Sequence, residues 1–397
     1  MPKELIYVDN AATTSLSKKA LDSMLPFYTE YFGNPSSLYS LGFTSRSAIE
    51  KARADLANLV GAQYPEEIYF TSGGSEADNW AIKGVARALL KRGKNHIITS
   101  KFEHHAVLHT VESLREEGFT ITYLDVYENG IVKVKDLEEA ITDKTALVSI
   151  MYANNEIGTI QPIKELGKIC RERRVLFHTD AVQAVGHIPV NVIEDNVDLL
   201  SLSGHKFHGP KGVGALYIRK GTPIDNLIDG GAQEKSKRAG TENVAGIIGM
   251  AVALKESCKN LNENYLKTKK LRDTLENELL KVEDSILNGD SRNRLPGTTN
   301  ISFAGIEGES LLLLLNEIGI CASSGSACTS HSLDPSHVLL SIGLKHEIAH
   351  GSLRITLNEE NTMQDVETIA IAVPKIVRRL RNMSPLWESM QKDKVHV

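Results

Sequence analysis

The chain has 397 residues, 24% of them charged and 41% hydrophobic, with 50 acidic against 45 basic side chains and a formal net charge of −5. That length can bury a sizeable core and suggests about two domains, the charge balance gives no basic field to hold nucleic acid, and the longest apolar runs, such as Ser310 to Leu315, are far too short to cross a bilayer. Four cysteines without a disulfide or metal spacing, and no secretory apolar segment in residues 1–9, point to a soluble protein of a reducing, cytoplasmic compartment with no structural metal.

In chain order, Glu67 to Phe70 reads as a strand, Thr71-Ser-Gly-Gly-Ser75 as a tight hydroxyl-rich turn, and Glu76 to Leu90 as a helix of good formers. Strands follow at His96 to Ser100, Ile121 to Val126, Ala146 to Met151, Val175 to Asp180 and Val197 to Leu202, with helices such as Ala106 to Glu117 and Pro162 to Arg173 between them. This alternation predicts an α/β fold whose mostly parallel sheet is covered by helices, with sites at the carboxyl ends of the strands. From Lys255 to Lys281 the pattern becomes one long charged helix. It bridges to a smaller C-terminal domain holding Gly297 to Ala304, a helix around Leu311, Ser352 to Leu357 and a helix from Met363 to Arg381. The basic cluster Lys375 to Arg381 has the apolar spacing of a solvated helix face rather than a binding patch.

Chemistry concentrates in Ser203-Gly-His-Lys-Phe-His-Gly-Pro-Lys-Gly-Val-Gly214, where Lys206 follows an apolar strand inside a glycine-rich turn. A lysine at the buried end of a strand is costly to keep charged, so its pKa is expected to fall and its amine to become nucleophilic, as Schiff-base chemistry with a carbonyl cofactor requires. The alternative is a plain surface turn. Asp180 closes another strand, and a carboxylate there suits the pyridine nitrogen of pyridoxal phosphate, although an acid capping the next helix is the commoner case. The Thr71 to Ser75 turn, at the start of a helix, brings backbone N–H groups and the helix dipole to an anion site; taken alone, it is equally an ordinary connection. Cys328 lies among small polar residues, which suggests an exposed nucleophile, whereas Cys170 and, less firmly, Cys258 read as buried thiols. The composition of Ser323 to Ser332 predicts mobility.

In this order the chain carries Tyr7-Val-Asp-Asn-Ala-Ala-Thr-Thr14, Gly33-Asn-Pro-Ser-Ser37, Thr71-Ser-Gly-Gly-Ser-Glu-Ala-Asp-Asn79, Glu103-His104, Asn154-Asn-Glu-Ile-Gly158, His178-Thr-Asp-Ala-Val-Gln183, the Lys206 segment, Arg238-Ala-Gly-Thr-Glu-Asn243 and Ser323-Ser-Gly-Ser-Ala-Cys-Thr329. With these it resembles, across nearly its whole length, the cysteine desulfurases of the NifS and IscS type, in the class V branch of fold-type I pyridoxal phosphate enzymes. The resemblance implies a large cofactor-binding domain (15–260) with a mostly parallel seven-stranded sheet. It also implies a smaller α+β domain (1–14 and 261–397) that carries Cys328. It assigns the cofactor carbonyl and the Cα proton to Lys206, the ring face to His104, the ring nitrogen to Asp180 and the phenolic oxygen to Gln183. The phosphate falls to Gly74, Ser75, Ser203 and His205, with Thr241 reaching in from the other subunit of a homodimer. The substrate carboxylate falls to Arg354 and Asn155, and Asn155 is also assigned to the cofactor.

The implied reaction takes sulfur from L-cysteine, leaves L-alanine, and puts a persulfide on Cys328 for a sulfur acceptor, chiefly in iron-sulfur cluster assembly. Cys328 could also ligate a cluster transiently with a scaffold protein. Selenocysteine lyase and other class V activities are the alternatives, and no membrane or nucleic acid partner is implied. Ser75 stands where the family commonly has threonine, Tyr39 where it has histidine and Ala232 where it has glycine, and none of these removes a catalytic group. The stretch after Trp387 does not resemble the tail with which IscS-type members engage their scaffold.

Overall fold

The computed structural model describes residues 5–324 and 335–395. Its central sheet has seven strands in the order Ile68–Thr71, Gly214–Ile218, Leu199–Ser203, Leu176–Asp180, Thr145–Ser149, His96–Ser100 and Thr120–Leu124. Only Gly214–Ile218 runs antiparallel to its neighbours; the remaining pairings are parallel. The interior strands read as continuous apolar runs because both faces are covered. Successive residues serve opposite cores: Ile97, Leu147 and Leu199 pack with the helices Gly74–Leu90 and His105–Ser113, while Ile98, Val148 and Leu200 pack with Ser40–Val60, Ile163–Glu172 and Val244–Lys259.

A separate apolar core joins the three-stranded antiparallel sheet Ser285–Leu287, Thr298–Phe303 and Ser352–Thr356 to the helices Leu261–Leu279, Gly308–Glu317 and Met363–Arg381. Ile6–Tyr7 pairs in parallel with Ile320–Cys321, and Asp9 bridges to Thr356. Among the described residues no helix is long and apolar enough to cross a membrane.

Two sequence expectations change. The charged stretch from Lys255 to Lys281 is two helices, Val244–Lys259 and Leu261–Leu279, broken at Asn260, whose φ of −109° and ψ of 20° leave the helical region. Charge periodicity runs through that break, because an asparagine that ends one helix can flank the next without disturbing the pattern. Arg381 belongs to the basic cluster read as solvated, yet it is buried: its Nε donates to the Ala304 carbonyl at 2.9 Å and its guanidinium stacks 3.8 Å from the Trp387 ring.

Candidate active site

Strand ends and the loops that leave them converge on a cavity of about 320 Å³ at the carboxyl edge of the large sheet. The chain leaves Ile68–Thr71 through Gly73, whose φ of 155° only glycine adopts readily, and enters the Gly74–Leu90 helix. A Cβ on Gly214 would lie 2.7 Å from the Gly73 Cα, so that close approach needs a second glycine. As N-cap, Gly73 has no side chain to satisfy the first-turn N–H groups. The positive end of a 17-residue helix therefore opens toward the cavity at Gly74 and Ser75, beside Ser203 and His205.

Lys206 ends a short 3₁₀ turn, Gly204–Lys206, that directly follows the Leu199–Ser203 strand. Its Nζ donates to the Ala11 and Ala12 carbonyls at 2.7 and 2.8 Å, so the N-terminal segment forms one wall of the cavity. Gln183 donates to the same Ala11 carbonyl at 3.0 Å. Asp180, 6% exposed at the end of its strand, accepts the Val182 N–H at 2.9 Å. Burial raises its carboxyl above the usual range, against the pull of that hydrogen bond and of nearby Lys206.

His104 caps the His105–Ser113 helix, its Nδ1 accepting the Ala106 N–H at 3.1 Å. A nitrogen that accepts is unprotonated, so the neutral ring carries its proton on Nε2. Burial, aided by the charge of Lys206, lowers the His104 pKa to about 4 and keeps the ring neutral at physiological pH. His205 is pushed to about 4 as well, by burial first and then by Lys206 and Lys211, and its Nδ1 lies 3.2 Å from the Thr13 hydroxyl.

Arg354 projects from the Ser352–Thr356 strand of the smaller sheet and is 3% exposed. An arginine so placed needs a carboxylate, and Asp9 supplies it at 2.8 Å, while Nη1 donates to the Asn155 carbonyl at 3.1 Å. The arginine is thus fixed by the chain itself, with Nε buried and lacking a hydrogen-bond partner among the described residues.

Ten of the residues singled out in sequence therefore line one cavity: Gly74, Ser75, His104, Asn155, Asp180, Gln183, Ser203, His205, Lys206 and Arg354. Thr241 does not: it is exposed and absent from that lining. The segment before it is held rigidly. Glu234 is buried against Arg53 at 2.7 Å and accepts the Phe70 N–H at 2.8 Å, and Arg238 pairs with Glu76 at 2.8 Å. Cys328 lies outside the described residues. Of the other thiols, Cys170 is buried, with burial pushing its pKa up, and Cys258 is half-buried. Sequence reasoning did not single out Asp9 or Asp78, although both stand inside quoted motifs; an acid within a motif carries no mark of where its side chain points.

A doubly wound sheet with a lysine, a carboxylate and a helix N-terminus meeting at its carboxyl edge defines a fold-type I pyridoxal phosphate enzyme. The model of the family "Aminotransferase class-V" matches residues 6–369, and the chain belongs to that family. It is 55% identical over 392 residues to the cysteine desulfurase IscS of Clostridium botulinum, covering 98% of each chain, and 57% identical over 381 residues to that of Methanosarcina thermophila, covering 96% of this chain and 94% of the other. A solved NifS-like protein superposes with a TM-score of 0.89 at 40% identity, over 95% of this chain and all of that one. The residues present fit pyridoxal phosphate: an open helix N-terminus for the dianion, a buried acid for the ring nitrogen and an amine within the same cavity.

Proposed function

We propose that this chain is a pyridoxal phosphate-dependent cysteine desulfurase, with L-cysteine as substrate and L-alanine as product. The observation that carries the reading is the convergence of Lys206, Asp180, His104 and Arg354 on one cavity in a chain of this family. Gly74, Ser75, Ser203 and His205 would hold the phosphate, Asp180 the ring nitrogen, Gln183 the phenolic oxygen and His104 the ring face, with the Lys206 amine available to the carbonyl carbon. When bound, the cofactor supplies the electron sink that makes the substrate Cα–H acidic.

The chain's own groups do the rest. Arg354, oriented by Asp9, binds the substrate carboxylate with Asn155 beside it, which sets the Cα–H toward Lys206. Lys206 Nζ takes that proton and returns it. The Cys328 thiolate bonds to the substrate sulfur, the Cβ–S electron pair goes to Cβ, and Cβ takes up a proton as alanine leaves. One sulfur remains on Cys328 as a persulfide, so the thiol is a reactant regenerated only when an acceptor takes that sulfur.

The active unit is a homodimer in the cytoplasm. Thr241 is exposed on a pinned segment outside its own cavity, which suits a role at the partner's phosphate. Large apolar side chains between Leu21 and Phe43 are exposed, among them Phe32 at 67% and Leu38 at 95%, a surface that a second copy would cover. The large domain spans 15–260, and residues 1–14 with 261–397 form the small one, a division that the separate core around Val8, Leu275 and Ile369 supports. The sulfur acceptor is an iron-sulfur scaffold or another thiol carrier.

Cys328→Ser tests the function. The variant should keep the pyridoxal absorbance and still take up cysteine, yet form no persulfide and release no alanine beyond background. Undiminished alanine release would overturn the desulfurase assignment.

A further inference from the structure

A second carboxylate lies in the floor of the cavity, and the mechanism above gives it no work. Asp78 stands on the inward face of the Gly74–Leu90 helix, 1% exposed, and lines the cavity together with Asp180. Its Oδ1 is buried with no hydrogen-bond partner among the described residues, 3.6 Å from the Nε2 of fully buried His178. His178 and Asp180 share one face of their strand, being two residues apart. The ring of His178 is committed on both sides, Nδ1 to the Ser149 hydroxyl at 2.8 Å and Nε2 to the Ser201 hydroxyl at 3.0 Å. Ser201 is the register partner of Asp180. A buried polar seam therefore runs between the sheet and this helix, with Asp78 beside one imidazole and Asp180 two residues further along the same strand face.

Two buried carboxylates that line one small cavity do not readily both ionise, because each charge opposes the other and the second would have no cation of its own. Asp180 has the stronger claim to the charge: the Val182 N–H donates to it and Lys206 lies near. Asp78 faces His178, Asp180, Ser201 and, further off, Glu103. None of these is a cation, since burial lowers the His178 pKa to about 3. Burial and the neighbouring Asp180 charge both raise the Asp78 carboxyl well above the carboxylate range.

We propose that Asp78 and Asp180 act as a dyad with one negative charge, Asp180 keeping the charge that faces the ring nitrogen and Asp78 keeping the proton. Asp78 is thereby a positioning residue: a neutral acid near the charged one, it fills the seam beside His178 without competing for the cofactor's proton. The idea rests on the pyridoxal phosphate reading only for what Asp180 faces; the shared proton belongs to the chain.

The test uses full-length protein with ¹³C-labelled aspartate, observed at neutral pH with and without pyridoxal phosphate, in the wild type, Asp78→Asn and Asp180→Asn. A protonated-aspartate carboxyl signal is expected in the wild type. It should vanish in Asp78→Asn, which removes the acid, and in Asp180→Asn it should titrate at lower pH than in the wild type, because the neighbouring charge is gone while burial still favours the protonated form. Asp78→Asn should bind the cofactor within about threefold of the wild-type affinity, since the amide mimics a neutral acid. It should also lose part of the fall in unfolding midpoint that the wild type shows as pH rises from the carboxylate range, because the folded state then no longer holds a proton that the unfolded chain releases. Absence of the signal in the wild type, or an Asp78 titration unmoved by Asp180→Asn, overturns the dyad even if Asp78→Asn does not fold. Failure of the wild type to bind pyridoxal phosphate would count against the proposed function instead and leave the aspartate signal to decide the dyad.

Discussion

At the residue scale, burial keeps the histidines of the site neutral. His104 is neutral with a fixed tautomer, because the same N–H that starts its helix occupies Nδ1. That leaves Lys206 and Arg354 as the basic groups of the cavity, the one proposed for the carbonyl and the proton and the other for the carboxylate. Lys206→Ala is expected to abolish alanine release and to shift the absorbance of any bound cofactor. Spectrophotometry beside an alanine assay checks this, and turnover in the variant would remove the lysine from its role. Arg354→Gln should raise KM for cysteine about 10- to 100-fold, the worth of a charge-assisted hydrogen bond of about 1.5–3 kcal/mol, and leave the cofactor absorbance in place. A kcat loss at unchanged KM would argue for a structural arginine held by Asp9.

At the element scale, the cavity groups of the large sheet sit where a strand hands the chain to a helix or turn, and the junctions are themselves hydrogen bonded. Glu103, fully buried after the His96–Ser100 strand, accepts the Ser100 hydroxyl at 2.5 Å and the Met151 N–H at 3.0 Å, and so ties the His104 loop to the Asn155 loop. Burial pushes its pKa up to about 8. A carboxyl raised in the folded state keeps a proton that the unfolded chain gives up, so stability falls as pH climbs from the usual carboxylate range to about 8. Glu103→Gln should flatten that fall, which amounts to at most about 1.4 kcal/mol per pH unit for one group, in thermal unfolding followed across pH. A slope unchanged in the variant would mean that Glu103 is ionised throughout. Gly74→Ala tests the helix start: a Cβ there would meet Val182 Cγ2 at 2.7 Å, so the first turn must shift and cofactor affinity should drop roughly tenfold or more with little change in secondary structure.

At the scale of the whole molecule, the cavity draws on both sheets: Arg354 comes from the small one and Lys206 from the large one, and the N-terminal segment bonds to both. In the proposed homodimer, Thr241 and the exposed apolar surface would extend that logic across the subunits. Phe32→Glu combined with Leu38→Glu should yield monomers by size measurement and lower specific activity roughly tenfold or more, since a composite site is lost with its partner. A fully active monomer would remove Thr241 from the cofactor site.

The sequence by itself determined the α/β class, the strand behind each functional residue and the chemical types at the strand ends, because period-2 and period-3.6 patterns and glycine-rich turns are local signals. The strands at His96–Ser100 and the helix Met363–Arg381 were legible to the residue for that reason. What only the tertiary structure decided depends on distant residues meeting. Asp9 pairs with Arg354 across 345 positions, the Ala11 and Ala12 carbonyls receive Lys206, Asn260 splits a continuous charge pattern, and Asp78 faces His178 through a helix turned onto the sheet. Local propensity carries no information about such partners: burial against a particular neighbour sets the charge of a side chain, and that neighbour is known only once the sheet has brought it there.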